Sequence, residues 1–198
     1  MISGTTLWYA SRATGVISLI LLSIVAILGI VVNRQGHLPG LPRFAVTGLH
    51  RSLSLLTVAF LGTHIVTAIA DGYVHIPWLS TIVPFSSPYE RFWIGLGTVA
   101  VDMTAAVIVT SLLRARLRPA VWRAVHWLAY ASYPVTLVHS MGASKDLRSG
   151  WLLALTMATV FAVVTAIGYR VVDGFAAVPR PGRVPQQLAG AAKTGSLR

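Results

Sequence analysis

Polar and charged residues along this 198-residue chain fall in bunches, and between the bunches run apolar stretches with scarcely a break. A hydrocarbon layer about 30 Å thick calls for about 20 consecutive apolar residues, since a helix rises about 1.5 Å per residue. Five stretches meet that demand: 14–32, 45–70, 92–113, 120–140 and 151–172. The first, GVISLILLSIVAILGIVV, is too long for a secretory signal core and no small-residue cleavage site frames it, so it reads as a retained anchor. The expected fold class is an all-α integral membrane protein, a bundle of about five transmembrane helices. Residues 1–173 form the expected membrane domain. Residues 174–198, rich in Pro, Gly, Ala and basic side chains, are expected to be a disordered tail.

Composition agrees: 55% of the residues are hydrophobic and 11% charged, too few to clothe a soluble domain of this length. The net charge of +11 could suggest nucleic acid, but its distribution argues against that partner and for a lipid bilayer. With the amino terminus outside and the carboxy terminus inside, the inner side holds Arg34, Arg43, Arg51, Arg114, Arg116, Arg118, Arg123, Arg170, Arg180, Arg183, Lys193 and Arg198. The outer side keeps Arg12, Arg91, Lys145 and Arg148, a bias of twelve to four. Asp71, Glu90 and Asp146 all fall outside, and tryptophans mark both boundaries. A bacterial plasma membrane is the expected location. The loop 72–89 contains Pro77, Pro84 and Pro88 and is expected to pack over the outer face. Cysteine is absent, which excludes disulfides, thiolate-held zinc or iron–sulfur clusters, and thioether-attached haem.

The candidate chemistry lies in histidines. His50 and His64 share the second expected span at a spacing of fourteen, and His126 and His139 share the fourth at a spacing of thirteen. Those two spans run in the same direction. His50 and His126 then lie near the inner boundary and His64 and His139 near the outer one, the two levels roughly 20 Å apart. Intramembrane ionisable groups are rare and costly, so two pairs at matched depth point to a ligand. Imidazole is a strong neutral axial ligand, and one from each of two facing helices would sandwich a b-type haem. Six-coordinate iron without a vacant site favours outer-sphere electron transfer. Two haems between helices two and four would then bridge the layer. A spacing of fourteen returns a side chain to within about 40° of its start, whereas thirteen leaves it roughly 140° away. Pro134, between His126 and His139, is expected to allow a bend that re-aims His139.

These residues carry a resemblance. GLHRSLSLLTVAFLGTH, VPFSSPYERFWIGLGTVAVDMTAAVIVTSLLR and WRAVHWLAYASYPVTLVHSMGASKD resemble the ferric reductase-like transmembrane domain shared by NADPH oxidases, ferric reductases and a bacterial methionine sulfoxide reductase haem-binding subunit. The resemblance covers roughly residues 12–146. It implies His50 with His126 as axial ligands of an inner haem b, and His64 with His139 as those of an outer one. Many members have six spans rather than five. Oxidases and ferric reductases also carry a flavin and nicotinamide domain, whereas this sequence shows no GxGxxG loop in a βαβ setting. Flavin would come only through a partner, and the electron donor would be a flavoprotein, another reductase or quinol.

Among other residues, Arg51 is the best candidate to meet a haem propionate, with Arg114, Arg116, Arg118 and Arg123 behind it. Asp102 falls near the midplane of the third span, suited to proton coupling or to a neutral hydrogen-bonded acid. Gly62, Gly95 and Gly97 suit either a flat porphyrin or a close helix contact. Tyr130 and Tyr133 read as packing residues, and His37 and His75 as loop residues. The leading expectation is a di-haem electron-transfer subunit of an oxidoreductase. Its rivals are a quinol-linked cytochrome b anchor and a non-haem proton or metal transporter using the same histidines.

Overall fold

The computed structural model describes residues 4–33, 41–72 and 74–176. Its regular elements are helices: α1 (Gly4–Asn33), α2 (Arg43–Ala70), α3 (Arg91–Leu112), α4 (Pro119–His126), α5 (Leu128–Ala143) and α6 (Gly150–Ala176), with short 3-10 turns at Trp78–Thr81 and Asp146–Arg148. The tail from residue 177 on, and His37 with its loop, lie outside the described residues. Four helices, α1, α2, α3 and α6, are long and apolar enough to cross a membrane, which makes this a helical membrane protein. In hydrocarbon no water meets the backbone, and a helix satisfies its own peptide groups. The hydroxyls within the spans follow the same rule. Ser23, Ser54, Thr57, Thr104 and Thr136 each donate to the carbonyl four residues earlier, at 2.7–2.8 Å.

Four of the five expected spans are single helices. The fourth, 120–140, is not one helix but α4 of 8 residues and α5 of 16, joined at Trp127. Pro119 opens α4 at a position where its missing N–H is no loss. At the joint the Trp127 N–H is shared between the Arg123 and Ala124 carbonyls, and the Tyr130 N–H bonds to Trp127 three residues back. This tightening sits about two turns before Pro134, whose ring has no N–H to offer the Tyr130 carbonyl. The interruption therefore falls at Trp127, well short of Pro134 itself.

Two helix pairs make the closest contacts, α1 with α2 and α3 with α5; α1 also touches α5 and α6. The small buried core gathers where α1, α5 and α6 meet: Leu19, Tyr133, Leu147 and Val163, with Val16, Leu22 and Ile27 packed on it. At the end where α1 begins, Arg12 bonds Asp146 at 3.1 Å and Ser144 at 3.2 Å while covering the Trp8 ring. These contacts tie α1 to the α5–α6 connection. At the other end Arg170 of α6 donates to the Tyr130 hydroxyl at 2.7 Å and lies over the Trp127 ring.

The loop before α3 sits against that helix. Thr98 donates to the Ser80 carbonyl at 2.5 Å, and the Phe85 ring occupies the space a side chain at position 95 would need. Trp93 likewise fills the space beside Gly142, joining α3 to α5. Gly142→Ala should drive the Trp93 ring from its seat and cost on the order of 1–3 kcal/mol. Gly168→Ala on α6 meets nothing within 4 Å and should be neutral or slightly stabilising. Thermal unfolding in detergent checks the pair.

Candidate cofactor site

All four span histidines turn toward the interior of the bundle and are half-buried. His64, on the last third of α2, is braced by α1: its Nδ1 lies 2.7 Å from the Ser11 carbonyl and 3.4 Å from the Ser11 hydroxyl. His139, on α5, is braced by α3, its Nδ1 2.7 Å from the Trp93 carbonyl. A carbonyl only accepts, so both rings must carry their proton on Nδ1. In a neutral ring that leaves the Nε2 lone pair for a ligand, the tautomer that metal-bound histidines adopt.

His50 and His126 are held differently. His50 rests beside the Val25 backbone of α1, and its Nδ1 is buried without a hydrogen bond. The His126 Nδ1 is in the same state, and the ring stacks on Trp122 with centroids 4.9 Å apart and planes 28° apart. Arg114 lies over the Trp122 ring at 4.4 Å, completing a cation–indole–imidazole stack.

The rings come together two by two. His126 stands within electrostatic reach of His50, and His139 of His64. Each pair takes one imidazole from α2 and one from the α4–α5 arm, helices that share no extensive backbone contact. No group of three or more His, Asp or Glu side chains converges among the described residues.

The remaining sequence candidates fall around these pairs. Arg51, Arg114, Arg116, Arg118 and Arg123 are exposed at the end that holds His50 and His126. Asp102 is exposed on α3, and His75 is exposed in the loop before it. Gly97 faces His139, Gly95 faces Phe85, and Gly62 meets nothing within 4 Å. Tyr133 is buried beside Ser23, and Tyr130 accepts from Arg170, so both do structural work. The sequence reading missed the bracing groups on α1 and α3, and the Arg114–Trp122 stack. One signal for the former was available. The interval from Gly15 to Gly29 equals the interval from His50 to His64.

The fold and its interior define a polytopic helical membrane protein with two histidine pairs between a helix and a broken helical arm. Residues 14–137 match the model of the ferric reductase like transmembrane component family. The match takes in 124 of the 198 residues, so the chain belongs to this family and is a transmembrane electron-transfer component. His50, His64 and His126 lie inside the matched segment, and His139 lies just beyond its end. No curated protein and no solved structure matches the chain.

The Arg170–Tyr130 bond fastens α6 to the arm that carries His126 and His139. Tyr130→Phe should remove about 1.5–3 kcal/mol of stability, the loss limited because Arg170 keeps its hold on Trp127. Chemical or thermal denaturation in detergent measures the difference.

Proposed function

We propose that the chain is a di-haem b-type cytochrome that carries electrons across the bilayer as the membrane subunit of a ferric-reductase-like system. The observation that carries this reading is the two-by-two approach of four imidazoles from helices that scarcely touch each other's backbones. His50 and His126 would ligate one haem, and His64 and His139 the other. Bound haem would supply a one-electron carrier at each pair, held by those histidines.

The protein's own groups then have distinct tasks. The Ser11 and Trp93 carbonyls fix the proton of His64 and His139 on Nδ1 and aim Nε2 away from the supporting helix. The buried Nδ1 atoms of His50 and His126 have no hydrogen-bond partner to fix their tautomer, so these two rings are held by packing alone. Arg51 and its neighbours offer guanidinium groups to the propionates at that end, and their positive charge sets the end inside under the bias of basic residues. The donor is a separate flavoprotein, reductase or quinol, and the acceptor is met on the far side. A bacterial plasma membrane suits the topology.

Purified protein should be red and show a reduced b-type spectrum. His64→Ala or His139→Ala should abolish one haem and spare the other, and His50→Ala or His126→Ala should do the converse. Reduced-minus-oxidised spectra with haem stoichiometry decide. A colourless wild-type protein would point back to a transporter and end the proposal.

A further inference from the structure

Three glycines stand where three of the four histidine rings meet a neighbouring helix. A Cβ built on Gly97 would lie 2.7 Å from Cε1 of His139 and 2.8 Å from its Nδ1. On Gly15 it would lie 3.0 Å from both Cε1 and Nδ1 of His64. On Gly29 it would lie 3.4 Å from Cε1 of His50. In each case the backbone against which the ring rests belongs to the residue four positions earlier: Trp93 before Gly97, Ser11 before Gly15, Val25 before Gly29.

The repeat has a physical origin. A helical carbonyl gives one lone pair to the N–H four residues on and keeps another for a lateral donor. The side chain of that same fourth residue stands beside the free lone pair. In this chain the hydroxyls of Ser54, Thr57 and Thr63 show it by reaching the carbonyls of His50, Leu53 and Ala59. Any Cβ there narrows the approach; glycine alone opens it to a ring from another helix.

We propose that Gly15, Gly29 and Gly97 are positioning residues, each opening the flank of its helix to a histidine ring: His64 and His139 seat Nδ1 on the carbonyl one turn earlier, His50 rests beside the Val25 backbone without that bond, and Nε2 is left for the haem. The inference rests on the haem reading above. Spacing supports it: α1 and α2 are antiparallel, and the interval between the two notches on α1 equals the interval between the two histidines on α2. The fourth histidine marks the limit of the device. Further along α3 from Gly97, at the histidine spacing of the α4–α5 arm, stands Thr110, whose hydroxyl engages the carbonyls of Ala106 and Val107 at 2.7 and 3.2 Å. His126 makes no carbonyl bond and leans on Trp122 instead.

The test uses the full-length protein in detergent, with haem content, optical spectra and low-spin ferric EPR as readouts. Gly97→Ala and Gly15→Ala should shift the EPR signal of the His64–His139 haem and weaken its retention by roughly 10–100-fold. Gly97→Ala should act more strongly, because its Cβ comes closer to the ring. Gly29→Ala should move only the His50–His126 signal, and by less, whereas Gly168→Ala should move neither. Gly29→Ala has nearly ordinary clearance and keeps the proposal open to refutation should Gly97→Ala not fold. Two haems in the wild type with unchanged signals in Gly97→Ala and Gly15→Ala would overturn this inference and leave the di-haem reading standing. Wild-type protein without haem would overturn both.

Discussion

In the hydrocarbon interior a polar group has only the protein to bond to, and each feature of this bundle answers to that constraint. Peptide groups close on themselves as helices. Hydroxyls fold back on the carbonyl one turn earlier, and Arg170, close to the membrane boundary, finds a phenol and two rings. The imidazoles are the demanding case. Each has two nitrogens pointing in different directions, and one helix cannot serve both. For His64 and His139 a second helix receives the Nδ1 side while the opposite side remains for whatever lies in the interior.

This requirement explains why the helices pair as they do. The α2 histidines need α1, and His139 needs α3, so the closest contacts are α1 with α2 and α3 with α5 rather than α2 with α5. Small residues let the pairs approach. Gly95 receives Phe85, Gly142 receives Trp93, and Gly97 receives His139, so three aromatic or imidazole rings anchor α3 to its surroundings. Between the two pairs runs the seam that His50, His64, His126 and His139 face. The buried core is correspondingly small, since lipid rather than protein covers the outward faces.

The two histidine levels are not equivalent. The His64–His139 level is hydrogen-bonded to backbone on both sides and lies at the end locked by Arg12 and Asp146. The His50–His126 level has neither bond; it has an indole stack with a guanidinium over it. Backbone carbonyls make an imidazole a stronger donor and hold its plane, whereas a stacked ring restrains the plane and a nearby cation withdraws charge.

The sequence by itself determined the helical membrane class, because apolar length and the clustering of arginines are one-dimensional properties. It also suggested which histidines share a level, since depth along parallel helices is a count of residues. It could not show that the 120–140 stretch breaks at Trp127. The signal there was Pro134, and a proline loosens the turn before it without saying where the slack is taken up. Nor could it show what receives each Nδ1. Gly15 and Gly29 repeat the histidine spacing, yet a glycine in a membrane helix has many uses, and only the packing of α1 on α2 gives these two theirs. Azimuth and neighbour identity depend on how helices cross, and that is decided by the tertiary structure alone.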